Sequence, residues 1–266
     1  MEKVVPYYIK EATAPVVPII LSIPHSGTAF PAELKGHYHE EQLAKLDDTD
    51  WFLDRLYEFA PAMGITVIHA KYSRWVIDLN RDPESAPLYG DGRLITGLTS
   101  TTDFFGNELY KEGMAPDQEE VERRLALYYQ PYFDKVNELL QVRKSKFGEA
   151  ILWDAHSIRS MVPTIRPNKF PEMILGTAEG KSADQRFVDA AFGVLRSSYE
   201  VNLNDPFKGG RITRFFGKPE DGIHALQLER NKDLYMADDE LNYHPERAAK
   251  MQIILKNALT ALIEAF

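Results

Sequence analysis

Short runs of β-branched and aliphatic residues alternate with longer helix-periodic stretches along most of the chain, and several of those runs stop abruptly at polar residues. This alternation is the signature of an α/β layered fold, in which strands are buried between helices. The first run is Val16-Val17-Pro18-Ile19-Ile20-Leu21-Ser22-Ile23, halted by the turn-forming Pro24-His25-Ser26-Gly27. Helical periodicity covers about 41–59, with Leu43, Leu46, Phe52, Leu53 and Leu56 on one apolar face. The cluster Asp47-Asp48-Thr49-Asp50 is a point where that helix can break and restart. Two strands are expected next, over 65–70 and 74–79.

The Gly-, Thr- and Pro-rich segment 83–117 reads as a long loop region, and loops of that length are usually functional or mobile. A helix over 118–146 follows, with Pro131 expected to kink it or begin a second one. Ile151-Leu152-Trp153 is a short buried strand running into Asp154-Ala155-His156-Ser157. Ser182 and Gln185 have capping-box spacing for a helix reaching about Ser197. A strand is expected over 222–229. Pro245 suits the first turn of a last helix whose buried stripe would be Met251, Leu255, Leu259, Leu262 and Phe266.

No repeat or linker divides the 266 residues, so a single domain over 1–266 is expected, and 44% hydrophobic content suffices for its core. There is no cysteine, which excludes disulfides, thiolate ligands and a cysteine nucleophile. Any metal must then be held by His, Asp or Glu. The net charge of −9 argues against a nucleic-acid partner, but a local arginine cluster can still hold a small anion. No stretch is long and apolar enough for a membrane span, and no signal-peptide layout is seen, so a cytoplasmic protein is expected.

His25 and His156 each follow closely on an apolar strand. Ligands in open α/β sheets bind at the carboxyl ends of strands, so these two side chains could meet there. Such a pair with one carboxylate suits zinc in a hydrolytic site. Candidate carboxylates are Asp47, Asp48, Asp50 and Asp54, each equally explicable as a charge near a helix N-terminus. Asp154 lies two residues before His156 and shares its face if the strand continues, which would make it a partner for that ring. Glu229 ends a buried strand, where a carboxylate is costly unless paired or working. It is either a general base or the partner of Arg230 or another arginine. Arg74 and Arg81, in Ser73-Arg74-Trp75-Val76-Ile77-Asp78-Leu79-Asn80-Arg81-Asp82-Pro83, and Arg211 and Arg214, in the glycine-flanked basic loop 208–214, are candidate anchors for a dicarboxylic substrate. Walker, dinucleotide-binding and Gly-x-Ser-x-Gly motifs are absent.

Taken in order, Ile23-Pro24-His25-Ser26-Gly27, Asp48-Thr49-Asp50-Trp51-Phe52-Leu53-Asp54-Arg55-Leu56-Tyr57, Arg74 to Pro83, Trp153-Asp154-Ala155-His156-Ser157, Pro206-Phe207-Lys208-Gly209-Gly210 and Leu226-Gln227-Leu228-Glu229-Arg230 resemble the N-formylglutamate amidohydrolase family of histidine breakdown. The resemblance spans most of the chain. It implies a three-layer fold, a mixed sheet between helices, similar to zinc carboxypeptidases and aspartoacylases, with a metal at the strand ends. It implies that His25 and His156 are metal ligands and that Glu229 is the catalytic glutamate. It also implies that Asn80 and Arg81 bind a substrate carboxylate. The wider group carries His-x-x-Glu, whereas Thr28 stands three after His25 here, so the third ligand is assigned to Asp50. The implied reaction is the metal-dependent hydrolysis of a small anionic N-acyl amino acid, N-formyl-L-glutamate, to formate and glutamate. A deacylase or carboxypeptidase for another N-acyl acidic amino acid, and a non-catalytic binding module for such a ligand, are the rival readings.

Overall fold

The computed structural model describes residues 4–84 and 96–266. The chain opens with strands β1 (Tyr7–Lys10) and β2 (Ile19–Ile23), followed by short helices α1 (Ala32–Lys35), α2 (Glu40–Lys45) and α3 (Leu53–Leu56). Strand β3 (Thr66–Ala70) precedes helices α4 (Gln118–Arg124) and α5 (Gln130–Phe147). Next come β4 (Ala150–Ala155), β5 (Met173–Gly176), α6 (Gln185–Leu195), β6 (Val201–Leu203), α7 (Arg211–Phe216), β7 (Ile223–Arg230) and α8 (Pro245–Glu264).

Among the described residues the strands form one seven-stranded sheet in the order β1-β3-β2-β4-β7-β5-β6. The sheet is mixed: β3, β2, β4 and β7 run parallel, β1 is antiparallel to β3, and β5 is antiparallel to β7. Strand alternation sends Leu21, Trp153 and Leu226 to a core shared with α3, α6 and α8. It sends Ile20, Leu152 and Ala225 to a second core shared with α5 and α7. Helices therefore cover both faces, and each fully buried aliphatic side chain contributes about 1.5–3 kcal/mol relative to leaving it in water. No helix among the described residues is long and apolar enough to cross a membrane.

Several local expectations are corrected. The strand expected from Val16 is β2 and begins at Ile19, past Pro18, which has no N–H for a ladder, and β1 precedes it. The 41–59 helix is split: α2 ends at Leu46 in the left-handed region and α3 starts after Phe52, so Asp47 to Trp51 form a turn. Segment 74–79 is not a strand. Val76 N–H donates to Ser73 O and Asp78 N–H to Leu98 O, which leaves a buried, turn-rich stretch with no sheet partner. Segment 85–95 of the expected 83–117 loop lies outside the described residues.

As expected of Pro131, a second helix begins there: it sits in the first turn of α5, after a π-helical turn over Leu125–Tyr129. Ser182 does not cap α6. Its hydroxyl donates to Ala225 O, and Asp184 is the N-cap, accepting from Arg186 N–H. The helix ends at Leu195. The basic loop 208–214 turns into α7 directly after Gly210. Strand β7 begins at Ile223 and includes Arg230. Phe266 lies beyond α8 and is 39% exposed, outside the buried stripe.

Candidate active site

Strands β2 and β4 are parallel neighbours, with Ser22 opposite Asp154. The chain leaves β2 toward β3 on one side and β4 toward β5 on the other, so a crevice opens at their carboxyl ends. His25 and His156 leave the two strands at this point. Their Nδ1 atoms are 3.2 Å apart and both rings are buried.

Each remote nitrogen is fixed by a carboxylate. His25 Nε2 is 2.8 Å from Asp78 Oδ1, and His156 Nε2 is 3.1 Å from Asp154 Oδ2. A carboxylate can only accept, so it selects the tautomer with the proton on Nε2 and leaves Nδ1 as a lone pair. Asp154 is itself set by donors from Ser22 and Thr213, and Asp78 by Arg74 Nη2 at 2.6 Å and by Asn80 N–H at 2.9 Å. The partnership of Asp154 with His156 follows from their spacing of two residues. Asp78 was not foreseen as a partner of His25. Its signal was a carboxylate inside the apolar run Trp75 to Leu79, which needs a buried partner.

Asp50 completes the cluster. Its backbone N–H donates to His25 O at 3.0 Å, which draws the turn against the strand end. Its Oδ2 lies 3.4 Å from His156 Nδ1 and 3.7 Å from His25 Nδ1, and this buried oxygen accepts no hydrogen bond. One ligand atom each from His25, Asp50 and His156 falls within 4.8 Å of the others. Three electron-pair donors facing one point, one of them orphaned, repel one another unless a positive charge lies between them. The two imidazoles and one carboxylate suit a divalent transition ion, and the two Asp–His contacts are the supports such ligands ordinarily have. The buried cluster therefore has the composition and aim of a metal site.

The electrostatics agree. Burial and the nearby Arg74 guanidinium push His25 down to about 4. Burial would also lower His156, but the carboxylates of Asp154, Asp50 and Glu229 outweigh it and hold the ring at about 10. Burial would raise Asp50; the two histidines and Arg74 pull it below the usual carboxylate range instead. The cluster thus calls for positive charge at its centre: without an ion a proton on His156 supplies it, and the lone pair on its Nδ1 is freed when a cation displaces that proton.

Glu229 stands near the end of β7 opposite Ile174, buried, and accepts no hydrogen bond from the described residues. Burial pushes its carboxyl up to about 7, against the pull of His156 and alongside the push of Asp50. The alternative of a salt bridge to Arg230 is not formed: Arg230 Nη2 donates to Tyr57 Oη at 2.6 Å on the opposite face. Arg74 joins the cluster through Asp78, its guanidinium stacked 4.8 Å over the Phe104 ring. Arg81 donates to Thr96 O and Thr96 Oγ1 and reaches to 4.0 Å from Asp78. Asn80 is committed within the protein, with its oxygen on Ile212 N–H and its amide on Gln227. Arg211 Nη1 donates to Asp82 Oδ2 at 2.7 Å and its N–H to Asn80 O at 3.4 Å, while Arg214 Nε donates to Gly209 O at 2.9 Å.

The family model for N-formylglutamate amidohydrolase matches residues 17–236. The chain belongs to the N-formylglutamate amidohydrolase family. It is 41% identical to the N-formylglutamate deformylase of Pseudomonas putida, covering 93% of this chain and 92% of that protein. It is also 41% identical to the N-formylglutamate deformylase of Pseudomonas aeruginosa, covering 93% of each. Among solved structures, the N-formylglutamate amidohydrolase from Ralstonia eutropha JMP134 superposes with a TM-score of 0.81 at 26% identity, over 98% of this chain and 97% of that one. A gene product of Agrobacterium tumefaciens shares the fold with a TM-score of 0.73 at 19% identity, over 97% and 96% of the two chains. The segment 17–236 that the family model spans includes every residue of the cluster described above.

Proposed function

We propose that this protein is a metal-dependent amidohydrolase that hydrolyses N-formyl-L-glutamate to formate and L-glutamate, in the cytoplasm, as a step of histidine breakdown. Residues 1–266 would act as one domain, with His25, Asp50 and His156 holding a divalent ion, zinc by the donor set. The observation that carries the reading is the convergence of two carboxylate-supported Nδ1 atoms and an orphaned, buried Asp50 oxygen at the strand ends. The 41% identity to deformylases over nearly the whole chain supports the substrate.

When bound, the ion supplies water acidified to a pKa near about 7 and Lewis-acid polarisation of the formyl oxygen. The rest falls to the chain. Glu229, raised toward about 7 by burial, accepts the proton as the water oxygen attacks the formyl carbon. It then delivers that proton to the amide nitrogen as the C–N bond breaks, releasing formate and the amine of glutamate. Arg81 grips one substrate carboxylate and Arg74 is the cation placed to steady the developing oxyanion or the second carboxylate. Asn80, held by Ile212 N–H and Gln227 and 3.3 Å from His156 Nε2, stands beside Arg81 as the second group for the carboxylate that Arg81 grips, with Arg211 and Arg214 as further candidate anchors.

The test is formate release from N-formyl-L-glutamate by purified protein, with added zinc and with a chelator. Metal-dependent release at a rate above that for other N-acyl acidic amino acids is expected. Faster turnover of another acyl group or of a small peptide would replace the substrate, and stoichiometric ligand binding without metal or turnover would make the chain a binding module.

A further inference from the structure

The turn that carries Asp50 is bounded by two non-glycine residues in the left-handed region, Leu46 at φ 44° and Phe52 at φ 60°. Such backbone is disfavoured for a residue with a Cβ and persists only where its surroundings over-determine it. Contacts reach the turn from several elements. Trp75 Nε1 and Phe104 N–H donate to the Asp48 carboxylate, Arg159 holds the Asp47 carboxylate, and Tyr235 Oη donates to Trp51 O.

Lys232 makes a contact of another kind. It lies three residues past Glu229, is 2% exposed, and donates from Nζ to Asp47 O at 3.1 Å. Among the described residues no carboxylate oxygen lies within 4.0 Å of its ammonium. Its own backbone is fixed: its N–H donates to Ile158 O, and its carbonyl accepts from Tyr235 and Met236. A buried charge without an ion pair is expensive, and a neutral donor would satisfy one carbonyl at lower cost. A lysine in this place joins the strand end that carries Glu229 to the turn that carries Asp50.

We propose that Lys232 is a positioning residue that clamps the Asp47–Asp50 turn against β7 and thereby sets the affinity of the site for its cation. The inference rests on the reading of His25, Asp50 and His156 as a cation site. Two effects of Lys232 oppose each other. As a positive charge it disfavours a second cation nearby, so its removal would tighten binding. As a clamp it holds Asp50 in line with the two imidazoles, so its removal would loosen binding. Its bond is to a main-chain carbonyl rather than to Asp50, and coordination tolerates only about 0.2 Å of ligand displacement, so the clamp dominates.

The experiment is zinc titration of full-length Lys232→Met against a chromogenic chelator, with thermal unfolding in excess chelator as the check on folding. Zinc affinity at least tenfold below wild type is expected, with kcat at saturating zinc closer to wild type than kcat at limiting zinc. Lys232→Gln, which keeps a donor without the charge, is expected between the two, and serves alone if the methionine variant does not fold. Affinity unchanged or tightened in a folded variant overturns the clamp. Failure of the wild-type protein to bind zinc overturns the cation reading itself, and the two failures are read separately.

Discussion

Asp78 is the residue on which the geometry of the cluster can be tested most directly. Its side chain is fully buried, its Oδ1 accepts from His25 Nε2 and Asn80 N–H, and its Oδ2 accepts from Arg74. Burial would raise its pKa, but Arg74, His25 and Arg81 hold it well below the usual carboxylate range, so it is an anion throughout the working pH. Asp78→Asn keeps the shape and replaces one acceptor by a donor. Either way round, the buried Arg74 guanidinium loses its counter-charge, at a cost of about 3–5 kcal/mol; if the amide N–H₂ faces Arg74, the guanidinium loses its acceptor as well. If it faces His25, the Asn80 N–H loses its acceptor, at about 1–3 kcal/mol, and His25 must move its proton from Nε2 to Nδ1. The second arrangement is the cheaper, because it keeps an acceptor for the cationic Arg74 donor and leaves only a neutral N–H unpaired.

That arrangement puts a proton on the atom that faces Asp50 and His156. The expected result is zinc affinity lowered about 10- to 100-fold, the usual effect of losing a carboxylate behind a ligating histidine. This equals about 1.4–2.7 kcal/mol of binding free energy. Chelator competition measures the affinity, and the nitrogen-15 chemical shifts of the His25 ring in the metal-free protein report the tautomer. A folded Asp78→Asn protein with wild-type zinc affinity, or one whose His25 still carries its proton on Nε2, would refute the argument that Asp78 selects the ligating tautomer.

Glu229→Gln is expected to lower kcat about 10²- to 10⁴-fold while leaving zinc affinity close to wild type; turnover within a few-fold of wild type removes Glu229 as the base. In the wild-type enzyme kcat/KM should rise with pH through an acid limb at or below about 7, because Glu229 must be deprotonated to accept a proton and a bound cation can only pull it lower. An acid limb that survives unchanged in Glu229→Gln assigns it to another group. Arg81→Ala should raise KM for N-formyl-L-glutamate far more than for N-formyl derivatives of neutral amino acids, and equal effects on both would exclude it as the specificity anchor. Gly210→Ala places a Cβ into the Asn80 amide, so a loss of about 1–3 kcal/mol in urea unfolding is expected, with reduced turnover; unaltered stability would show that the Asn80 lock can yield.

The two histidines were legible because each ends an apolar strand that is recognisable alone, and parallel neighbours bring such ends to one edge. Strands β5 and β6 were not, being four and three residues long, too short for periodicity to register. The 74–79 run failed in the opposite way. Its apolar residues are all buried, as a strand's would be, yet Asp78 among them is pinned by turns and by Arg74 rather than by a ladder.

The same contrast runs through the two supports of the cluster. Asp154 lies on β4 and His156 two residues on, just past its end, so extended backbone alone puts them on one side. Asp78 and His25 are 53 residues apart, and no periodicity connects them. What the sequence did contain was a carboxylate in an apolar run with an arginine four residues before it. Burying that carboxylate demands a cation, which Arg74 supplies, and leaves its other oxygen free to accept from something further away. A buried acid whose local cation pairs with only one of its oxygens is therefore a pointer to a second, distant donor on the other. Here that donor is the histidine that faces Asp50.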